Sequence, residues 1–114
     1  MDTAMRREDV IREILRRLVE YYQPERIYLI GSTARGEDRP DSDLDFVVVL
    51  PDDAPREKLI GGQIYQRLRG IPAAVDVIPF RRSTFEARSN WLMSLPAIAL
   101  REGRLEYDAS ALAR

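Results

Sequence analysis

Apolar residues near the start of the chain recur at the spacing of a helix. Seven of them fall on one side of a helical wheel: Val10, Ile11, Ile14, Leu15, Leu18, Val19 and Tyr22. Charged residues occupy the other side, so the pattern predicts an amphipathic helix with one face on a core. Pro24 ends this helix, because proline cannot continue its hydrogen bonds.

Three apolar runs that follow predict buried strands. The first covers residues 26–30 and ends at Gly31, and the second covers residues 44–50 and ends before Pro51. The second run is too continuously apolar for a half-exposed strand, so it is expected in the middle of a sheet. The third run covers residues 73–78.

The segment between the second and third strands predicts another helix. Asp52 or Asp53 would cap its start, and Gly70 would follow its end. The buried stripe of this helix would consist of Ile60, Ile64 and Leu68. Gly61 and Gly62 lie within it and weaken it.

The last third of the chain predicts further helix and an edge strand. The run from Ser83 to Glu86 has the spacing of a capping box, and Pro96 divides the helical stretch that it opens. Gly103 would end the helix, before a short edge strand over residues 105–107. Strands separated by helices predict an α/β or α+β fold, a small mixed β-sheet covered by helices.

Composition narrows the classes of function. The 114 residues, 45% hydrophobic and 32% charged, predict a single domain over residues 1–114. No apolar run could cross a bilayer and no secretory signal is visible, so a cytoplasmic location without a membrane is expected. The chain has neither cysteine nor histidine, so carboxylates must carry any polar chemistry. Its 18 basic and 19 acidic residues nearly cancel, which argues against stable binding of nucleic acid.

Two short motifs are candidates for that chemistry. Gly31 and Ser32 open a segment that could form one helical turn, where backbone N–H groups and the Ser32 hydroxyl could hold phosphate. A Gly-Ser pair in isolation is more often only a turn with its cap. Asp43 and Asp45 begin the central strand two residues apart, so their side chains leave one face and can converge on magnesium. The alternative is that they belong to the solvated charged loop 37–41.

Asp76 is the third candidate carboxylate. It interrupts the apolar run 73–78, where an unpaired charge would be costly, so it needs a partner such as Arg81 or Arg82, a strand end in water, or a functional site. Three carboxylates on two neighbouring strands form the constellation of two-metal catalysis, in which two cations clamp the attacking and leaving oxygens at phosphorus.

The chain resembles a known family at these positions. The run 31–36, Gly-Ser-Thr-Ala-Arg-Gly, and the run 42–46, Ser-Asp-Leu-Asp-Phe, are similar to the signature of minimal nucleotidyltransferases, the smallest branch of the DNA polymerase beta-like superfamily. Asp76 falls where that family carries its third carboxylate, and the ending 100–107 is similar as well. The resemblance therefore implies a nucleotidyltransferase fold for nearly the whole chain.

The resemblance also implies roles for the candidate residues. Gly31 and Ser32 would hold the triphosphate, and Asp43 and Asp45 would bind the metals. Asp76 would complete the metal site and favour deprotonation of the acceptor hydroxyl. The cofactor would be Mg²⁺, with two ions, and ATP would be the nucleotide donor.

Several other residues have two alternative roles or a purely structural one. Arg35 either neutralises departing pyrophosphate or pairs with Glu37 or Asp38. Trp91 begins an apolar cluster that could serve a partner, although core packing is the preferred interpretation. The members of this cluster are Trp91, Leu92, Met93 and Leu95. Four arginines are expected to be solvated charges: Arg6, Arg7, Arg81 and Arg82.

The expected acceptor also comes from the resemblance. Family members join a nucleoside monophosphate, usually AMP, to a hydroxyl and release pyrophosphate. They often pair with a HEPN protein, as antitoxin to an RNase toxin whose tyrosine they modify. The length of the chain leaves no room for an acceptor domain, so the hydroxyl is expected on a partner protein. The alternatives are a non-catalytic antitoxin that masks its partner, and transfer to a small molecule or to RNA.

Overall fold

A computed structural model of the protein describes residues 6–37, 39 and 42–112. The chain order of its elements is α1 (Arg7–Tyr22), β1 (Arg26–Ile30), β2 (Leu44–Leu50), a 3₁₀ turn (Arg56–Lys58), α2 (Ile64–Arg67), β3 (Val75–Arg81), α3 (Arg82–Arg88), α4 (Leu95–Glu102), β4 (Arg104–Asp108) and α5 (Ala109–Leu112). Within the described ranges, none of the helices combines the length and the apolar character that a membrane span requires.

The strands form one four-stranded mixed sheet in the order β3-β2-β1-β4. β1 pairs antiparallel with β2 and with β4, whereas β2 and β3 run parallel. The 3₁₀ turn and α2 lie in the crossover that a parallel pair requires. β2 lies in the interior of the sheet with six of its seven residues buried, which confirms the sequence prediction for this strand.

Alternate residues of β2 contribute to two cores on opposite faces of the sheet. Leu44, Phe46, Val48 and Leu50 pack on the face that α1 and α2 cover. Val47 and Val49 pack on the other face, with Phe85 of α3 and Ala99 of α4. The predicted mixed sheet between helices is therefore confirmed, and residues at odd positions of β2 belong to the α3–α4 face.

The predicted second helix is wrong as a single element. A 3₁₀ turn and the four-residue α2 stand in its place. Gly61 and Gly62 lie between them with φ of 105° and 70°, a backbone conformation that no α-helix contains. Ile60 is exposed as a result, whereas Ile64 and Leu68 are buried as predicted.

The predicted capping box is also wrong. α3 begins at Arg82, which places Ser83 inside the first turn of the helix instead of at its cap. The cap comes from Asp52, whose Oδ1 accepts a hydrogen bond of 2.8 Å from the backbone N–H of Ser83. This bond is the main reason why the pKa of Asp52 lies below its ordinary value.

The last helical stretch breaks before Pro96, not at it. Ser94 caps α4 by accepting a hydrogen bond from the N–H of Ala97, and Pro96 lies in the first turn, where proline is tolerated. At the other end, a Cβ on Gly103 would lie 2.5 Å from the carbonyl oxygen of Ala99. Glycine therefore allows α4 to end and the edge strand β4 to begin within one residue.

The preferred core position of Trp91 is wrong. Trp91, Leu92 and Met93 lie between α3 and α4 with exposed fractions of 59%, 76% and 77%. The guanidinium of Arg88 lies 5.5 Å from the centre of the Trp91 ring. The structure therefore leaves three consecutive large apolar side chains at the surface.

Candidate active site

Asp45 and Asp76 lie side by side on adjacent strands. In the parallel pairing of β2 with β3, Asp45 is the register partner of Asp76. Both belong by alternation to the face on which Val47 and Ile78 pack under α3 and α4. Two carboxylates from distant parts of the sequence thus meet where β2 and β3 begin.

The electrostatics of Asp45 reflect this crowding of negative charge. Burial raises the pKa of Asp45, and the charges of Asp76 and Asp43 raise it further. A hydrogen bond between the carboxyl groups of Asp45 and Asp76 acts in the same direction. Asp43 itself is exposed just before β2 and still acts on Asp45 through its charge.

The oxygen atoms of these carboxylates are suitable ligands for a hard divalent cation. Oxygen ligands of this kind are the ones that Mg²⁺ binds, and the charge that raises the pKa of Asp45 is what a cation would compensate. Across residues 6–37, 39 and 42–112, however, no three or more carboxylate, imidazole or thiol side chains form a group that could hold a metal ion. The structure brings Asp45 and Asp76 together, and it does not gather all three carboxylates into one ligand set.

The segment after β1 forms the turn that the sequence predicts. The carbonyl oxygens of Gly31, Ser32 and Thr33 accept hydrogen bonds from the N–H groups of Arg35, Glu37 and Gly36, at 3.2, 2.8 and 3.1 Å. Within the described part of the chain, the N–H groups of residues 32–34 donate no backbone hydrogen bond. Unused donors at the start of a helical turn are a favourable site for phosphate. We call residues 31–37 the phosphate turn.

The phosphate turn and the carboxylates are adjacent because of the strand register. Ile30, the last residue of β1, is the register partner of Asp45. Gly31 follows with φ of 83°, and a Cβ at this position would lie 3.0 Å from Oδ2 of Asp45. A glycine therefore allows the turn to begin directly against a candidate metal ligand.

Arg35 is held at the surface by two carboxylates. Its Nε donates to Oε1 of Glu37 at 2.9 Å, and its Nη1 lies 3.7 Å from Oε1 of Glu102 at the end of α4. The pairing with Glu37 is one of the two roles expected from the sequence, whereas Asp38 lies outside the described residues. A phosphate role for Arg35 is not tested by these contacts and stays a prediction.

The comparison with known families decides the class of this protein. Residues 11–98 match the family model of the nucleotidyltransferase domain. The chain belongs to this family. The match contains the phosphate turn and the three carboxylates, and it confirms the superfamily level of the resemblance. Membership of the minimal branch is not established by it.

A solved structure shows that the nucleotidyltransferase shares its fold with a distant relative. A candidate nucleotidyltransferase from Sulfolobus solfataricus superimposes with a TM-score of 0.58 at 19% sequence identity. The superposition covers 90% of this chain and 80% of that chain. At this identity the likeness concerns the fold alone. Among curated proteins, none matches this nucleotidyltransferase.

Sequence reasoning missed two residues that contact the phosphate turn. Arg7 donates through Nη2 to Oγ1 of Thr33 at 3.4 Å and to the carbonyl oxygen of Ser42 at 2.5 Å. Its expected role as a solvated charge is therefore wrong. For Glu102 the sequence predicts no contact with this turn. Arg7 stands in no motif, Glu102 stands only in the ending 100–107, and both contacts join positions far apart in the sequence.

Two of the other three arginines expected to be solvated, Arg81 and Arg82, also have partners. Arg81 donates to the carbonyl oxygen of Ala54 at 2.9 Å. Arg82 pairs with Glu25 and Asp52. Neither arginine therefore explains Asp76, whose exposed carboxylate lies beside Asp45.

Proposed function

We propose that this nucleotidyltransferase uses magnesium to transfer AMP from ATP to a hydroxyl on a partner protein. The observation that carries the proposal is the contact of Asp45 with Asp76 directly beside the phosphate turn. This arrangement offers oxygen ligands for metal ions next to N–H groups that donate no backbone hydrogen bond within the described residues. A nucleoside triphosphate with its cations requires both.

Each residue of the site has a separate role in the proposed reaction. Asp45 and Asp76, which the structure brings together, would hold magnesium, and Asp43 would join them as the resemblance implies. The metal would supply positive charge against the charge that develops at phosphorus. Gly31 and Ser32 bind the triphosphate through the phosphate turn. Asp76 is exposed, so it can accept the proton of an incoming hydroxyl. The hydroxyl oxygen bonds to the α-phosphorus, and the bond from this phosphorus to the oxygen of pyrophosphate breaks.

A surface of the structure supports a protein as acceptor. Trp91, Leu92 and Met93 are exposed between α3 and α4, the two helices that cover the face of the sheet carrying Asp45 and Asp76. Adjacent large apolar side chains at a surface are typical of protein interaction sites. That the partner is a HEPN-type RNase toxin, modified on a tyrosine and so neutralised, rests on the resemblance of the motifs.

The proposal can be tested by following the nucleotide label. The protein is incubated with α-³²P-labelled ATP, MgCl₂ and the product of the adjacent gene, the proposed HEPN-type partner, with the other three nucleoside triphosphates as competitors. We expect magnesium-dependent label on the partner, and none with Asp45→Asn or Asp76→Asn. Asp53→Asn is the matched control, because Asp53 is exposed beyond the opposite end of β2.

The competing function, a non-catalytic antitoxin that masks its partner, predicts a different result. No label would reach the partner, and an Asp43→Asn variant would still neutralise the toxin completely. That pair of results would exclude the catalytic proposal.

A further inference from the structure

Two residues outside the family match contact the phosphate turn from different elements. Arg7 is the first residue of α1 and Glu102 is the last residue of α4, whereas the match covers residues 11–98. The hydrogen bonds within the turn fix its own shape. The β1–β2 register places the start of the turn beside Asp45. Contacts from other elements act on the later residues of the turn, Thr33 and Arg35.

Arg7 joins the phosphate turn to the segment that leads into the metal ligands. One Nη2 atom reaches both Oγ1 of Thr33 and the carbonyl oxygen of Ser42, the residue before Asp43. Thr33 has an exposed fraction of only 6%, so this contact lies under the turn rather than on its outer surface. Arg7 therefore links the phosphate turn to the residue that precedes the first candidate carboxylate.

Glu102 holds the phosphate turn from the end of α4. Its Oε1 lies 3.7 Å from Nη1 of Arg35, while Glu37 of the turn holds Nε of the same guanidinium. Gly103 follows directly, and a Cβ there would lie 2.5 Å from the carbonyl oxygen of Ala99, so α4 ends at Glu102. Two carboxylates thus define where Arg35 can place its remaining N–H groups.

The two contacts belong to one connected frame. Arg104, two residues after Glu102, lies 3.4 Å from Oε1 of Glu8, the neighbour of Arg7. Arg104 also pairs with Glu106 on β4 at 2.7 Å. The start of α1 and the corner between α4 and β4 are therefore tied to each other as well as to the turn.

We propose that Arg7 and Glu102 are positioning residues for the nucleotide, which hold the phosphate turn in register with Asp43 and Asp45. This inference rests on the proposed function. Its physical basis is that small displacements of a binding turn lower affinity and rate. These contacts therefore affect nucleotide binding more than they affect the stability of the fold, to which exposed ion pairs contribute little.

The role of Glu102 can be tested by whether its removal raises or lowers the Kd for a nucleotide. Glu102→Ala removes a negative charge near a polyanionic ligand, so a purely electrostatic role would tighten binding of magnesium α,β-methylene-ATP. A positioning role predicts the reverse, a Kd raised by up to about fivefold, the scale of a partly exposed ion pair. Glu20→Ala is the matched control, because Glu20 is also exposed and lies 3.8 Å from its arginine, at the other end of α1. Tighter or unchanged binding by Glu102→Ala would overturn the role of Glu102.

Arg7 is tested by a variant that keeps its charge. Arg7→Gln is expected to raise the same Kd by about tenfold, the scale of a charge-assisted hydrogen bond, and Arg7→Lys should restore only part of the loss. Complete restoration by lysine would show that charge alone matters and would overturn the role of Arg7. In transfer assays, wild type, Arg7→Lys and Arg7→Gln should have increasing KM values for ATP. The change in KM should exceed the change in kcat.

Hydrogen exchange separates this inference from the proposed function. In the protein without nucleotide, Arg7→Gln and Glu102→Ala should each increase the rate of amide exchange in a peptide covering residues 31–37. The Tm of each variant should be nearly unchanged. Equal exchange in variant and wild type would overturn the inference even if ATP binds. Absence of nucleotide binding by the wild type would instead overturn the proposed function, and the positioning role for nucleotide with it.

Discussion

Gly31 and Asp45 approach so closely that a Cβ on Gly31 would lie 3.0 Å from the Asp45 carboxylate. Gly31→Ala therefore combines two effects, strain at φ of 83° and displacement of a candidate metal ligand. We expect a loss of about 1 kcal/mol in stability and a loss of transfer activity of about a hundredfold.

Gly70→Ala is the matched control for this prediction. Gly70 has φ of 85° and no atom within 4 Å of its would-be Cβ, so its substitution brings strain without displacement. Both variants should lose similar stability in urea unfolding, whereas only Gly31→Ala should lose activity. Equal activities of the two variants would mean that the contact with Asp45 has no part in the reaction.

The crowding of charge at Asp45 predicts a conflict between stability and activity. The pKa of Asp45 is raised in the folded state, so ionising this carboxyl costs the native protein stability as pH rises from about 4, the ordinary value of an aspartate, through the raised value. Without metal at pH 7, Asp45→Asn should therefore be more stable than wild type, by less than about 1 kcal/mol because the group is partly exposed.

The same substitution should abolish transfer. Thermal unfolding in EDTA at pH 7, compared with Asp53→Asn, measures the stability effect. An Asp45→Asn variant that unfolds at a lower temperature than wild type would contradict the account of crowded charge.

Magnesium should stabilise the wild type by relieving this repulsion. A ligand that binds only the folded state adds about 2.7 kcal/mol at a hundred times its Kd, so Tm should rise with MgCl₂ concentration. The rise should be lost in Asp45→Asn and kept in Asp53→Asn. A rise of equal size in all three proteins would indicate a salt effect instead of a site at these carboxylates.

Local signals in the sequence predict β1 and β2 to the residue, because Pro24, Gly31 and Pro51 mark their limits. They fail where two weak signals compete, as in the second helix, where paired glycines outweigh an apolar stripe. They also fail at the cap of α3, because Asp52 reaches Ser83 across the fold. The candidate carboxylates were visible as motif members, but their contact depends on a parallel register that periodicity does not specify.

The cap of α3 predicts a pH-dependent contribution to stability. The pKa of Asp52 is lowered mainly by its hydrogen bond from the Ser83 backbone, so the bond stabilises the native protein above pH of about 4, the ordinary value of an aspartate. This contribution is lost as pH falls through the lowered value. Asp52→Ala should lower Tm at pH 7 and have a smaller effect at pH 3, while nucleotide affinity stays unchanged. Asp53→Ala should leave Tm unchanged at both pH values.

The exposed patch of Trp91, Leu92 and Met93 predicts a separation between partner binding and nucleotide binding. These side chains contribute little to the core, so Trp91→Ala with Leu92→Ser should change Tm by little. If the acceptor protein docks there, its affinity should fall by at least about tenfold, since aromatic anchors dominate many interfaces. Leu105→Ser is the control, because Leu105 is also a large exposed apolar residue, 49% exposed, and lies on a different element, the edge strand β4. Label transfer should decline with partner affinity while the Kd for magnesium α,β-methylene-ATP stays constant. A loss of nucleotide binding in the double variant would place the patch in the active site, and unchanged partner binding would remove it from the interface.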